Sequence, residues 1–415
     1  MIKVLELFAG IGACSKALTN LGIEHKIVDA VEIDKYAVKS FNAIHGTNFE
    51  PQDITKWDKD IEVDLIMHGS PCQDFSVAGK QAGGDDGSGT RSSLMYETLR
   101  IVEKLKPKYV IWENVKNLLS KKHRHNFDAY QEAMDKLGYQ NYYQVLNAKD
   151  YGVPQNRERV FTVSILGDGD FKFPARRPLT KKLKDVLETN VDEKYYLSDA
   201  QVAGFMRSTE KAQAKGNGSK FEPTNGSGIA HTIATRAGSR QTDNFVSEPE
   251  VLRRVRTEYG KSIRKDYEDG KIQAKRSAIQ KLEPRKDGVS NTITTVQKDN
   301  YVAIRTANTK GYDLATDGDG VDLAYPDSKT RRGRVGHGVA KTIPTGNSQG
   351  VLDGMRIRKL TPKECWRLMG FDDADFNKAK ASGVSDSQLY KQAGNSIVVN
   401  VLEAILKELF NGSTD

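Results

Sequence analysis

The sequence predicts an α/β fold, a mostly parallel sheet with helices on both faces, joined to a smaller, irregular, β-rich part. Three observations predict it. Up to about residue 170, short β-branched runs alternate with stretches whose apolar residues fall at helical spacing. After Phe173-Pro174 the pattern dissolves into polar, Gly-rich and Lys/Arg-rich sequence with short strand candidates. From Arg358 onward the helical period returns.

Strands are expected at Lys3–Leu7, Lys26–Val31, Val63–Met67, Tyr109–Trp112 and Val160–Val163. Between them, Ser93–Leu105 and Asn126–Leu137 carry helical periodicity, and Pro107 and Gly138 close those helices. The break near residue 175 divides the chain into 1–175, 176–349 and 350–415. Inside the middle part a short motif recurs: Gly228–Thr235 is echoed by Gly288–Thr295 and Gly338–Thr345. The uneven spacing favours recurrent turn-plus-strand chemistry over a solenoid. Thr361-Pro362-Lys363-Glu364 has the order of an N-cap, a first-position proline and an early acid, and a last helix is expected over Ser396–Phe410.

With 415 residues, 37% hydrophobic and 28% charged, the composition is that of a soluble globular protein. No apolar run approaches a bilayer span, and Met1–Leu7 has the pattern of a first strand, not of a signal peptide, so a cytoplasmic protein without a membrane partner is expected. Cys14, Cys72 and Cys365 are too scattered for a disulfide framework or a zinc site, and no metal is expected. Residues 176–349 hold 32 basic and 22 acidic side chains, a net of +10, which leaves −2 for the remainder. Charge alone fits a solvated basic face as well as a polyanion contact.

The first strand runs into Phe8-Ala9-Gly10-Ile11-Gly12, and Glu32 follows Gly12 by 20 residues at the end of the second strand. That layout is a nucleoside-binding βαβ unit: glycines let the backbone pass close to a ligand, and the acid can accept ribose hydroxyls. Ser15 stands where a dinucleotide fingerprint would have its third glycine.

Gly69-Ser70-Pro71-Cys72-Gln73 follows the third strand, at the carboxyl edge where ligands of such folds bind. A thiolate there suits attack on a soft electrophilic carbon, although a lone cysteine is more often a small buried hydrophobe. Glu113-Asn114-Val115 ends the next strand, and Gln155-Asn156-Arg157-Glu158-Arg159 leads into another. Addition to carbon 6 of a cytosine requires donors at N3 and O2, which Glu113 in its acid form and Arg159 can supply. An ion pair that simply joins the two strands is compatible with the same residues.

Taken together these motifs resemble the bacterial and phage DNA cytosine-5 methyltransferases, over the first 175 residues and roughly the last 60. The resemblance implies a Rossmann-like, S-adenosylmethionine-dependent methyltransferase domain. It makes Phe8, Ala9, Gly10, Ile11 and Gly12 the cofactor loop, and Glu32 and Ile33 the ribose-binding segment. Asp53 and Ile54 are similar to the adenine-binding segment, with Gln52 where a glycine is more usual. Pro71 belongs with the cofactor pocket, Cys72 is the nucleophile, Glu113 the acid, and Arg157 and Arg159 the paired arginines. Asn395 and Ser396, within Gln392–Ser396, correspond to the C-terminal motif that returns beside the cofactor.

By the same resemblance, Gln73 to Gly89 is a loop that closes over DNA, with Ser76 near the space left by the extruded base. Residues 176–349 correspond to a target recognition domain, with Thr342-Ile343 as its Thr-Leu element. The implied reaction flips a cytosine from double-stranded DNA, adds Cys72 to carbon 6 and methylates carbon 5. A monomer is expected, and a restriction endonuclease acting on the same site is a partner the resemblance allows. Two rivals stay open: the tRNA-directed branch of the same family, which shares the Pro-Cys-Gln and Glu-Asn-Val motifs, and a catalytically silent DNA-binding paralogue.

Overall fold

Alternating β-branched and aliphatic residues drive the first strand, β1 (Ile2–Leu7), whose last four residues are buried. It is followed by α1 (Ala13–Asn20), β2 (His25–Val31), α2 (Lys35–His45), β3 (Leu65–His68), α3 (Met95–Leu105), β4 (Tyr109–Val115), α4 (Arg124–Lys136), β5 (Tyr139–Asn147), β6 (Gln155–Asn156) and β7 (Glu158–Leu166). The computed structural model describes residues 1–71, 94–216, 219–224, 228–235, 238–248, 252–256, 259, 262–263, 280–284, 302–305, 312–315, 320–322, 335–336, 349–351 and 356–411.

Six strands form one sheet in the order β2-β1-β3-β4-β7-β5. β1, β2, β3 and β4 pair in parallel, whereas β7 runs antiparallel to both β4 and β5. The sheet is therefore mostly parallel, as expected, with one reversed strand. Because β2 and β3 flank β1 on opposite sides, the strand order reverses there, and the crevice beyond the ends of β1 and β3 is where such folds bind ligands. Leu5, Leu7, Ile66, Val110 and Trp112 belong to a core that also takes in Ile101, Val102, Phe127 and Tyr130 from α3 and α4. Each fully buried aliphatic or aromatic side chain of this kind contributes about 1.5–3 kcal/mol.

Farther along come α5 (Asp199–Ala214), β8 (Ala230–His231), β9 (Phe245–Glu248), β10 (Leu252–Arg256), β11 (Gln280–Pro284), β12 (Val302–Arg305), β13 (Tyr312–Ala315), β14 (Gly320–Asp322), β15 (Val335–Gly336), β16 (Gln349–Val351) and β17 (Arg356–Lys359). The chain ends in α6 (Pro362–Arg367), α7 (Asp373–Ala381), α8 (Asp386–Asn395) and α9 (Val399–Asn411). At α6 the expected start is observed as a capping box: Glu364 N–H donates to Thr361 Oγ1 at 3.2 Å and Thr361 N–H to Glu364 Oε2 at 2.8 Å. α9 packs on α1, with Val401, Leu402, Ile405 and Leu406 buried.

The chain forms two compact units. The first comprises residues 1–187, 226–239 and 360–415; the second comprises 188–225 and 240–359. These limits differ from the sequence-based divisions at 175/176 and 349/350. Residues 176–187 stay with the first unit because Leu183 and Val186 are buried there and Arg367 Nη1 donates to Val186 O at 3.0 Å. Residues 226–239 return to it by pairing β8 with β6. Among the described residues the second unit holds α5 and short antiparallel pairs, β9 with β17, β10 with β11 and β12 with β13, together with β14 between β15 and β16. Phe205, Phe221 and Phe245 pack together there at centroid distances of 5.1–5.3 Å. Among the described residues no helix is long and apolar enough to cross a membrane.

Candidate active site

The turn after β1 uses backbone conformations that few sequences tolerate. Phe8, Gly10 and Gly12 have φ of 54°, 57° and 80°. Gly12 caps α1, and a Cβ there would lie 2.1 Å from His45 Nε2 and 2.8 Å from Phe41 Cε2. His45 is itself held, with Nε2 donating to Ile11 O at 3.2 Å, and burial lowers its pKa to about 4. Glycine at 12 is thus required both by φ and by space.

Helix α1 begins with no cap from its own sequence, and a carboxylate in β1 takes over. Buried Glu6 accepts Ser15 N–H at 3.0 Å and is also bonded by the Ser15 hydroxyl and the Cys14 N–H. Burial raises its pKa to about 7. Ser15 is therefore no defect in a glycine pattern, because it is the partner of this acid. Sequence reasoning did not single out Glu6; a carboxylate two residues before Phe8, set among the apolar residues Val4, Leu5 and Leu7, was the available signal.

Glu32 lies just past β2. Its Oε2 accepts Gly10 N–H at 3.0 Å and its Oε1 accepts Asp34 N–H at 2.9 Å, so the acid braces the glycine turn. Burial pushes its pKa up, against the lowering effect of those backbone donors. The adjacent Ile33 is 70% exposed, unusual for an isoleucine. Asp53 caps the turn containing buried Ile54, accepting Thr55 N–H at 3.0 Å, and the Thr55 bonds lower its pKa. Gln52, in place of a glycine, donates to Asp29 Oδ1 at 2.8 Å and to Ala30 O at 3.0 Å, which explains the departure: it ties this segment to β2.

Where β3 ends, Ser70 is held from β4. Trp112 Nε1 donates to Ser70 Oγ at 3.0 Å, and Asn114 Nδ2 lies 3.3 Å from the same oxygen. Pro71 is the last described residue of this segment; Cys72, Gln73 and Ser76 lie outside the described residues, as does Thr342. Cys14 and Cys365 are fully buried core residues, and burial raises the Cys14 thiol well above its ordinary pKa.

Register explains the meeting of the acid and the arginine. Across β4 and β7, Val115 faces Arg159 and Glu113 faces Phe161, so Glu113 and Arg159 are diagonal neighbours on one face. Arg159 Nε lies 2.9 Å from Glu113 Oε1, with both side chains largely buried. The other carboxylate oxygen points at the β3 end: a Cβ on Gly69 would be 3.7 Å from Glu113 Oε2.

Arg157 is placed differently from Arg159. Its Nη1 donates to Ile233 O at 3.2 Å, and its Nη2 to Gly394 O and Ser396 O at 3.2 and 2.8 Å. It joins β7 to the C-terminal motif. That motif is tied to α2 and the turn before it by Gln392, which donates to Tyr36 O at 2.9 Å and accepts from Ser40 at 3.0 Å, and by the Lys391–Asp34 pair at 2.6 Å. Asn395 is exposed and Ser396 buried at the end of α8. A cleft of about 540 Å³ lined by Lys16, His25, His45 and Asp372 shares none of the groups named for chemistry.

A six-stranded sheet with one reversed strand, a glycine turn and an acid at its switch point defines the Rossmann-like methyltransferase class. The family model of C-5 cytosine-specific DNA methylase matches residues 2–411, and the chain belongs to that family as a DNA cytosine-5 methyltransferase. An orphan methyltransferase of Bacillus phage rho11s is 33% identical over 99% of this chain and 98% of its own. A type II methyltransferase of Lactococcus lactis subsp. cremoris is 31% identical over 99% of both. Among solved structures, the S. pombe Dnmt2 methyltransferase shares the fold, with a TM-score of 0.58 and 16% identity over 100% of each chain.

Proposed function

We propose that this enzyme transfers a methyl group from S-adenosylmethionine to carbon 5 of a cytosine flipped out of duplex DNA, through a bond between Cys72 and carbon 6. The observation that carries the reading is the Glu113–Arg159 pair, whose other carboxylate oxygen faces Gly69, three residues before Cys72. That the two other cysteines are core residues supports the reading of Cys72 as the nucleophile.

The residues present fit the cofactor. Left-handed Gly10 and Gly12 open the turn, Glu32 stands braced to accept ribose hydroxyls, and exposed Ile33 offers an apolar face for a base. Asp53, Ile54, Pro71, Asn395 and Ser396 complete the pocket in this reading. When bound, the cofactor supplies an electrophilic sulfonium methyl. The protein's part begins with the Cys72 thiolate, whose sulfur forms a bond to carbon 6 while the ring electrons shift toward N3 and O2. Glu113 gives its proton to N3 and Arg159 donates to O2, so the charge is neutralised and carbon 5 becomes nucleophilic. After methylation a base removes the carbon 5 proton, the sulfur–carbon 6 bond breaks as the N3 proton returns to Glu113, and neutral 5-methylcytosine and the Cys72 thiolate are released.

The second unit then reads the target, with Thr342 in it and Gln73 and Ser76 in the loop over the base, and the protein works as a cytoplasmic monomer. The relatives' names, orphan and type II, are compatible with action alone or beside a restriction endonuclease. The test is incubation with labelled S-adenosylmethionine and either duplex DNA or tRNA, followed by bisulfite sequencing. Label in a defined cytosine of the duplex supports the reading, and label in tRNA alone contradicts it.

A further inference from the structure

The recurring motif found in the sequence has one copy, Gly228–Thr235, inside the described residues, and that copy belongs to the first unit although the chain on both sides of it belongs to the second. It is seated by a continuous set of bonds. Leu183 N–H donates to Gly228 O at 3.0 Å, and Ala230 N–H donates to Pro154 O at 2.8 Å. β8 pairs in parallel with β6, and Thr232 Oγ1 donates to Asn156 O at 2.9 Å.

Gln155 is the hub of this seating. It is fully buried, its Oε1 accepts Ile233 N–H at 3.0 Å, and its Nε2 donates to Leu368 O at 2.6 Å. Two residues on, Arg157 links Ile233 O to Gly394 O and Ser396 O. At Gly394 the strip occupies the space of a side chain, since a Cβ would lie 2.5 Å from Thr235 N and 2.6 Å from Ala234 C. A backbone at that distance cannot give way as a flexible side chain could. One strip of eight residues therefore touches both β6, which leads through Arg157 into the strand that carries Arg159, and the C-terminal motif at Gly394.

We infer that residues 228–235 form a positioning strand, and that Gln155 is the positioning residue through which this strand sets Arg159 and the Gly394–Ser396 turn for methyl transfer. The inference rests on the reading of Arg159 as the O2 donor. Gln155 touches no substrate; it acts through Ile233 and Leu368. Misplacement by less than an ångström is enough to slow a reaction that depends on near-attack geometry.

The test is single-turnover methyl transfer, with saturating S-adenosylmethionine and target duplex, for the intact enzyme and for Gln155→Leu, Gln155→Glu and Arg159→Ala. Gln155→Leu is expected to lose roughly 10- to 100-fold in the single-turnover rate. Its affinities for DNA and cofactor should stay within about threefold of the intact enzyme. Gln155→Glu provides a signature that a merely structural residue would not give. Its neutral carboxyl can donate to Leu368 O and accept from Ile233 N–H, whereas its ionised form cannot donate. Its rate relative to the intact enzyme should therefore rise between about pH 8 and about pH 6. A leucine variant with the intact rate, or a glutamate variant whose pH profile parallels the intact enzyme, overturns the inference, and the glutamate variant decides if the leucine variant fails to fold. Arg159→Ala keeps the two readings apart: full activity there overturns the O2-donor role, while inactivity beside a normal Gln155→Leu overturns only the positioning strand.

Discussion

Arg159 and Glu113 sit diagonally across β4 and β7, with Nε and Oε1 2.9 Å apart, so one contact both joins two strands and orients an acid toward the end of β3. The same geometry serves a pair that joins two strands and the acid role proposed for Glu113. An ion pair so largely buried is costly to break from one side only, which makes the choice of substitution decisive.

Glu113→Gln keeps an oxygen for Arg159 and an amide donor for N3 but cannot supply a proton. We expect turnover to fall on the order of 100-fold. DNA affinity and melting temperature should change little. Turnover close to that of the intact enzyme would restrict Glu113 to holding Arg159.

Gly12→Ala places a methyl against His45 and Phe41 at a φ of 80°. A loss of about 1–3 kcal/mol in stability is expected, with weaker cofactor binding. Adding His45→Ala should relieve the closer of the two clashes and leave the Phe41 contact and the backbone part, so the double variant should melt above the single one. Equal melting temperatures would mean that His45 does not set the requirement for glycine.

Glu6 gives a pH prediction. Its pKa is raised by burial from 4.5 to about 7, so its contribution to stability is complete below about pH 4.5 and is lost as the pH rises through about 7. Against Glu6→Gln, which does not titrate, the intact enzyme should lose on the order of 3 kcal/mol between those limits. Thermal unfolding of both proteins across that range measures it. A constant difference in melting temperature would show that Glu6 stays ionised at the start of α1.

Grafting residues 240–359 onto a related methyltransferase should transfer the recognised sequence, because that stretch lies wholly in the second unit. Bisulfite sequencing of the chimera's DNA gives the answer, and a chimera that keeps its host's target would refute it.

The sheet was legible because its strands are apolar runs punctuated by turn residues: β1, β2, β4 and β7 cover the stretches named from sequence. β5 was not, because Tyr139–Asn147 alternates aromatic and amide residues on a half-exposed edge, and the reversal of β7 is a matter of pairing that no local pattern encodes. Glu32, Glu113 and Arg159 could be named from sequence because each stands at or near an end of an apolar strand run. Seating of 228–235 in the first unit was hidden, since Gln155 and Gly394 acquire their meaning only from a backbone that is distant in sequence. Arg157 was legible as a member of a pair, but its bonds to three carbonyls were not.

The covalent bond between Cys72 and carbon 6 is the central claim, and duplex DNA with 5-fluorocytosine at the target tests it most directly. Release of product requires that carbon 5 lose a proton, and fluorine cannot depart as a cation. With S-adenosylmethionine present, the intact enzyme should become fixed to that DNA in a complex that survives boiling in detergent. Cys72→Ala should form none, and duplex without the target site should trap nothing. An enzyme that methylates the ordinary cytosine at that site yet leaves the fluorinated duplex free would contradict the mechanism.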